Sequence, residues 1–426
     1  MCLMLGLDCY LPNVLYSDKD LPMSDSTFIT RVELLNYKSI THCDVKLGPL
    51  MFLVGPNGSG KSNFLDALRF VSDALNTTLD HAIRQRGGIR ELKRRGSVTT
   101  QPLDIRIHFR LESGEYGYYH LRLKKDIYDK YSLLTEECRI YAANSVSEKA
   151  SYYVDEGEVR TSERIAPVAS PNRLYLVAAS GLPVFRPVYE ALSRMVFYNL
   201  IPERIREAQI AGMGDRLSRD GGNIVEVLKN MSAHSSDAKT RIEQYMASVV
   251  PGIVEVNAKD FGPYETLEFT QQMLFSSDTW NFYASSMSDG TLRALGILVA
   301  LFQEGYDSSG SVVLVGIEEP ETALHPAAVG ALLDAMDETS MSKQILVTSH
   351  SAELLDDKQV TADMLLAVRA EKWGTRIGPL DEAGRYALRE SLFTAGELLR
   401  MNQLAPEPAS AAELADELLV SDESPV

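Results

Sequence analysis

Hydrophobic residues along this chain follow two periods, and the switches between them outline the elements. Residues 28–35 read as a strand, and after a turn Leu50, Met51, Phe52, Leu53 and Val54 form a continuous apolar run. Such a run suits a strand buried on both faces. A helix follows from Lys61, with Phe64, Leu65, Leu68 and Val71 at helical spacing. Leu103, Ile105, Ile107, Phe109 and Leu111 then alternate with Asp104, Arg106, His108 and Arg110, the pattern of a half-exposed antiparallel strand. Tyr119, Leu121 and Leu123 continue it, as do residues 138–141 and 152–154, so residues 102–160 are expected to form an antiparallel meander. Residues 171–250 read as mostly helical, broken at Pro183, Pro187, Pro202 and the Gly221-Gly222 pair. From Thr291 onward an apolar helix (291–303), a buried strand (312–317), a helix (327–336) and a strand (344–348) alternate as in an α/β layer. No internal repeat or sustained heptad is present, which argues against a long coiled coil.

Composition narrows the classes. A chain of 426 residues with 45% hydrophobic and 24% charged residues can bury a sizeable core, and its length suits two or three domains. A formal net charge of −17 argues against a protein that coats nucleic acid, while leaving room for a local basic patch. Cys2, Cys9, Cys43 and Cys138 show no CxxC spacing, so neither a disulfide framework nor a zinc knuckle is expected and a reducing cytoplasm fits. Residues 1–7 are apolar but short and lack a basic flank, unlike a signal peptide. No apolar run reaches bilayer-spanning length, so no membrane association is expected. Met23 is an alternative start, and the first residues are expected to carry no structure.

The sharpest chemical signal is Gly55-Pro56-Asn57-Gly58-Ser59-Gly60-Lys61-Ser62, which satisfies G-x4-G-K-[ST]. Its glycines let backbone N–H groups turn toward phosphate oxygens, and the following helix aims its positive end at them. Lys61 would reach the β and γ phosphates and the Ser62 hydroxyl would ligate Mg²⁺, with Asn57, Gly58, Ser59, Gly60 and Asn63 completing the cradle. Chance gives this pattern in roughly 1–2% of chains this long, before the flanking strand and helix are required. ATP with Mg²⁺ is the expected ligand.

A second signal is Glu318-Glu319-Pro320-Glu321, directly after the apolar run 312–317. Carboxylates at the carboxyl end of a buried parallel strand stand where α/β folds bind ligands. Glu318 is assigned to the metal and Glu319 to the attacking water. His350 follows a third apolar strand and is assigned as a γ-phosphate contact. Ser288, Asp289 and Gly290 precede a helix, where ordinary capping chemistry also makes an anion seat. The run Arg84, Arg86, Arg90, Lys93, Arg94 and Arg95 offers phosphate contacts to a nucleic acid or, equally, a solvated charged face.

In this order, these elements resemble the ABC-type ATPases of the RecF, SMC and Old group. The residues that carry the likeness are 36–40, 55–63, 288–293, 318–326 and 348–351, and it spans residues 28–402. The resemblance implies an α/β ABC ATPase head: a mixed, largely parallel core sheet, an antiparallel meander subdomain and a helical insertion. Residues 1–26 are then an N-terminal extension; 27–170 a first lobe with the phosphate loop and meander; 171–275 a mostly helical insertion in place of the family's coiled coil; 276–403 a second lobe; and 404–426 an acidic, disordered tail. It further implies a homodimer that sandwiches two ATP molecules and leaves open whether that dimer enters a higher assembly. In it Ser288, Asp289 and Gly290 act in trans, Glu319 is the general base, His350 the switch histidine, and residues 321–325 line the seam. Glu318 departs from the usual Asp, Thr322-Ala323 from a common Asn-Gly, and the coupling glutamine has no assigned counterpart. A separate effector such as a nuclease, in antiphage defence or mobile-element control, is the implied partner; no acidic metal cluster follows His350. The alternatives are a RecF-like repair ATPase and, less well matched because Lys61 and Glu318 lie far apart, a transporter subunit.

Overall fold

The computed structural model describes residues 28–94, 101–125, 130–212, 214, 216–273, 278–304, 310–372 and 374–408. The expected N-terminal extension, Arg95 and most of the acidic tail lie outside them. One 13-stranded mixed sheet organises these residues, in the spatial order Glu158–Thr161, Glu148–Asp155, Tyr131–Tyr141, Tyr116–Lys125, Leu103–Arg110, Ile29–Tyr37, Ile40–Lys46, Gly374–Pro379, Leu365–Glu371, Leu50–Val54, Gln344–Ser349, Leu314–Glu318 and Met195–Tyr198. The first five strands are the expected meander. The last five run parallel to one another and form the α/β layer.

Burial explains why the parallel strands read as unbroken apolar runs. In Leu50–Val54 every side chain is buried. Met51 and Leu53 enter one hydrophobic cluster together with Phe64, Leu68 and Val71 of the helix Lys61–Asn76. Leu50, Phe52 and Val54 enter a second cluster with Leu292, Leu295 and Leu298 of the helix Asp289–Phe302 and Leu332 and Met336 of the helix Pro326–Ser340. The sheet is thus covered by helices on both faces, which removes the polar side that an alternating pattern would need. No helix among the described residues is long and apolar enough to cross a membrane.

The structure corrects the reading of residues 171–275 as mostly helical. Helices Tyr175–Ala179, Arg186–Ser193, Pro202–Arg206, Ile224–His234 and Ser236–Val249 are there, but Met195–Tyr198 joins the edge of the main sheet. Ile253–Phe261 and Tyr264–Gln272 form a hairpin extended by Thr279–Tyr283 and by the short strand Gln209–Ile210. The edge strand was hidden by its length of four residues and by the helix-like segments flanking it. The hairpin does alternate: Glu265, Leu267 and Phe269 are buried while their neighbours are not. Strand Ile40–Lys46 and the C-terminal hairpin Leu365–Glu371/Gly374–Pro379 also lay outside the sequence reading.

Buried charge ties the layers together. Asp66, on the helix after the phosphate loop, accepts from Tyr37 Oη (2.8 Å) and Arg86 Nε (3.0 Å) and also pairs with Lys38 and Arg69. Burial pushes its carboxyl upward, but Arg86, Arg69 and Lys38 outweigh that and hold it below the usual range. Glu33 and Glu137 follow the same logic. Burial raises each, and His108 with Arg31 for Glu33, and His120 with Arg139 for Glu137, bring both down to about 2. Glu136 is the opposite case, fully buried and raised by that burial against hydrogen bonds from Tyr119, Tyr152, Tyr175 and Leu176.

A carboxylate whose pKa falls on folding stabilises the fold above its unfolded value and loses that contribution as pH drops through the folded value. Glu33, Glu137 and Asp66 act in this direction, and Glu136 opposes them. Urea midpoints are therefore expected to fall progressively from about pH 5 toward about pH 2. A midpoint that rises over that interval would contradict this assignment of the buried pairs.

Candidate nucleotide site

Parallel register builds the site. Val54 pairs with Ser349, and Thr348 with Glu318, so the three strands end together and release the phosphate loop, His350 and the Glu318-Glu319 turn at one edge of the sheet. Ligands of open α/β sheets gather at such carboxyl ends.

The loop is shaped by close approach. A Cβ on Gly55 would lie 2.1 Å from the Val368 carbonyl oxygen, and one on Gly60, where φ is +109°, would lie 2.4 Å from Thr375 Oγ1. Thr375 Oγ1 donates to the Ser59 carbonyl (2.8 Å), Ser39 Oγ lies 2.7 Å from Thr375 Oγ1, and Asn63 Nδ2 donates to Ser39 Oγ (2.7 Å). Two distant hairpin turns thus clasp the cradle. Thr375 was not legible as a site residue, since nothing near it in sequence marks it. Lys61 is buried and donates to the carbonyls of Gly55 (2.8 Å) and Pro56 (3.0 Å). Burial lowers its pKa, opposed by the charges of Glu319 and Glu321, so the lysine faces the acidic turn. Asn57, Gly58 and Ser62 are exposed, and the buried Ser59 Oγ has no hydrogen-bond partner in the protein.

Opposite the loop, Glu318 is the last residue of its strand rather than the first beyond it. Glu319 has φ +46°, a left-handed conformation that a glutamate adopts only when its surroundings impose it. Its N–H donates to the Thr348 carbonyl (2.9 Å). Arg293, buried within the helix Asp289–Phe302, donates to the carbonyls of Glu319 (2.9 Å), Glu318 (3.3 Å) and Leu200 (2.8 Å). Its guanidinium is the clamp on the turn. Burial lowers the Arg293 pKa, and Glu321 and Glu319 act against that.

His350 Nδ1 stands 3.3 Å from Glu319 Oε1 and 3.9 Å from Glu321 Oε1. Glu321 turns inward instead of lining a surface: its Oε1 accepts from Ser349 Oγ (2.7 Å) and from the His350 N–H (3.2 Å). Thr322, Ala323 and His325 are exposed. Ala323 has φ +65°, so the loop keeps a conformation that glycine adopts freely, although this chain carries alanine there. Its carbonyl oxygen would lie 2.5 Å from a Cβ on Gly290, which explains the glycine at that place. Ser288 caps its helix, its Oγ accepting from the Thr291 N–H (3.2 Å). Ser288 and Asp289 are exposed, and Asp289 pairs with Arg206. Ser288 bonds at the start of its own helix and Asp289 to the helix Pro202–Arg206, and neither of these bonds is to the phosphate loop of the same chain.

Two neighbours of Glu318 were missed. Arg219 Nη2 donates to Glu318 Oε1 at 2.7 Å. Asn199 is exposed directly after the edge strand Met195–Tyr198, whose Tyr198 pairs with Ile317, so it emerges beside Glu318.

The basic run divides. Arg86 is corrected as a surface contact: its side chain is buried, paired with Asp66 (3.0 Å) and Asp73 (2.8 Å) over the Phe70 ring. Lys93 is also buried, and burial with the nearby Lys125 and Lys124 lowers its pKa. Arg84 and Arg90 are exposed, Arg84 pairing with Asp80 (2.9 Å).

The described residues contain no group of three or more His, Cys, Asp or Glu side chains able to hold a metal. An exposed Ser62 hydroxyl and the Glu318 carboxylate instead suit Mg²⁺, which is usually held by one or two carboxylates together with substrate phosphates.

A glycine-rich loop between a buried strand and a helix, facing acids at the ends of parallel strands, defines an ABC-type ATPase head of the RecF, SMC and Old group. Within it, the chain belongs to the family described as "AAA domain, putative AbiEii toxin, Type IV TA system", whose profile matches residues 50–356. Its fold is similar to an Smc head bound to the C-winged helix domain of ScpA, with a TM-score of 0.54, 14% identity, and coverage of 84% of this chain and 99% of that one. It is also similar to an Smc head domain with an extended coiled coil, bound to the C-terminal domain of ScpA derived from Pyrococcus furiosus (TM-score 0.52, 13% identity, 86% and 99% covered). At such identities the likeness is one of fold. Old nuclease of Escherichia phage P2 is 26% identical over 166 residues, 35% of this chain and 26% of that protein. A 3-methyl-2-oxobutanoate hydroxymethyltransferase of Salmonella newport is 29% identical over 99 residues, 23% of this chain and 37% of that protein. The chain spans well under half the length of these curated relatives.

Replacing Arg293 by Met keeps the volume and removes the clamp. With Glu319 assigned to the attacking water, turnover of ATP is expected to fall by about 10- to 100-fold with nucleotide affinity nearly unchanged, because misplacing that group would affect chemistry more than binding. A variant with unaltered kcat would show that the turn holds itself.

Proposed function

We propose that this chain binds Mg·ATP between two copies of itself, hydrolyses it, and uses the cycle as a switch for a separate effector. The carrying observation is the convergence of Lys61, Glu318, Glu319 and His350 at one sheet edge, while Ser288 and Gly290 stand at the exposed start of a different helix. The phosphate loop with Lys61 would hold the triphosphate, and Ser62 and Glu318 would hold Mg²⁺. Bound there, the metal would neutralise charge on the bridging phosphate oxygens. Glu319 would take the proton of the attacking water, with His350 fixing its carboxylate and contacting the γ-phosphate. Ser288, Asp289 and Gly290 would complete the partner's site. The cleft of about 650 Å³ lined by Lys38, Ser39, Lys93, Arg94, Lys372 and Gly374 gives the base and sugar room beside the loop.

ATP then joins two heads because each γ-phosphate closes contacts from both chains, and hydrolysis removes the bridge. Moving a dimer from 1:99 to 99:1 takes about 5.5 kcal/mol of differential binding, within reach of two charge-assisted phosphate sites. Similarity to a protein named a nuclease supports an effector of that chemistry, acting in antiphage defence or mobile-element control.

Glu319→Gln is expected to lower turnover by roughly 10²–10⁴-fold and to prolong an ATP-bound dimer, read by light scattering and a phosphate-release assay. Lys61→Ala should lose nucleotide affinity in an equilibrium binding assay. Normal turnover in the first variant would remove Glu319 from its role, and unaltered binding in the second would contradict the loop assignment.

A further inference from the structure

The contact between Arg219 and Glu318 is unusual for an acid placed to receive a metal. Their atoms are 2.7 Å apart, and the two side chains differ in depth: the glutamate retains 15% of its exposure, the arginine 47%. The deeper group is fixed, and the outer one can leave into solvent at little cost.

Arg219 projects from a loop with a defined shape. Asn223 Oδ1 accepts from the Ser218 N–H (2.7 Å) and its Nδ2 donates to the Arg216 carbonyl (2.8 Å). Asp220 Oδ1 accepts from the Gly222 N–H (3.1 Å). The loop carbonyls of Arg219 and Asp220 accept from the N–H groups of Asn199 (3.0 Å) and Ile201 (3.1 Å), immediately after the edge strand. Gln303, just beyond the helix that carries Arg293, accepts from the Leu217 N–H (3.0 Å). Asn223 then opens the helix Ile224–His234, where the Val225 N–H donates to Gln209 of the small sheet (3.0 Å). Arg219 is therefore where this segment touches the metal acid.

We propose that Arg219 is a latch on the metal-binding carboxylate: its guanidinium holds Glu318 in the metal-free site and is displaced when Mg²⁺ arrives with the nucleotide, releasing residues 216–222. This rests on the ATP reading and adds a positioning residue to it. A divalent ion on Glu318 repels a guanidinium at hydrogen-bond distance, so the two cations compete for one carboxylate. The released loop passes that change to Asn199, to Gln303 and to the helix leading toward the small sheet, so that loading with metal, rather than nucleotide alone, resets the second core.

The test is a Mg²⁺ titration of the full chain with a fluorescent ATP analogue, starting in EDTA, together with amide hydrogen exchange over residues 199–201 and 216–222. For Arg219→Gln, metal-free analogue affinity is expected to stay within about 1.3-fold, while the Mg²⁺ midpoint falls by about 2- to 5-fold, the upper range of a half-exposed charged pair. Arg219→Lys, which keeps the charge, should lie between. In the native protein, exchange in those segments should quicken with Mg²⁺ and analogue but not with analogue in EDTA, and Arg219→Gln should show the fast rate throughout. Equal midpoints with intact analogue binding, or exchange insensitive to metal, would overturn the latch alone. Failure of the native chain to bind the analogue would overturn the ATP reading and the latch with it.

Discussion

Everything at this site depends on the common register of three buried parallel strands. Leu50–Val54, Gln344–Ser349 and Leu314–Glu318 end at one level, so residues from three distant stretches of chain meet without any one loop reaching for another. Both faces of the strand are packed, with Leu50, Phe52 and Val54 in one core and Met51 and Leu53 in the other, and the parallel ladders bring the three ends to one level. Gly316 lets the edge strand complete the layer, since a Cβ there would lie 2.4 Å from the Phe197 ring.

On this frame the acidic turn is held under tension by one cation. Glu319 in a left-handed conformation is costly for a residue with a Cβ. Beside it, Arg293 gathers the carbonyls of Glu318, Glu319 and Leu200. The same helix begins at Ser288 and Gly290, and Gly290 abuts Ala323 in the loop that follows Glu321. A displacement at the exposed helix start thus has a short, rigid route to the carboxylate beside His350.

The sequence revealed those parts whose chemistry is local. The phosphate loop is legible because its glycines, lysine and serine are contiguous, and Glu318-Glu319 because an apolar run precedes them. The α/β layer is legible because full burial leaves an unbroken hydrophobic record. What escaped was short or long-range. Met195–Tyr198 is too brief to show a period, and the second hairpin followed a helical stretch that set the wrong expectation. Thr375 buttresses the loop from a hairpin far along the chain, and only the fold brings it to Ser59. Arg86 looked like surface charge within a basic run, yet Asp66 and Asp73 draw it inward. A run of cations records charge but not which members have acids waiting on a neighbouring helix.

These facts place Glu318 between two arginines with opposite duties. Arg293 grips the backbone on the buried side, and Arg219 holds the side chain on the exposed side. The first contact is to a carbonyl that no ligand would claim, so it can persist through a cycle. The second is to the carboxylate assigned to the metal in the proposed cycle, so under that proposal it would not survive metal binding in the same form. Both arginines are anchored to the chain just after the edge strand, one through the Leu200 carbonyl and the other through the Asn199 N–H. The segment Asn199-Leu200 therefore feels a fixed support from one side and a metal-sensitive one from the other. In the proposed cycle, that asymmetry would turn a change of charge at Glu318 into a displacement of the helical and small-sheet portion of the molecule.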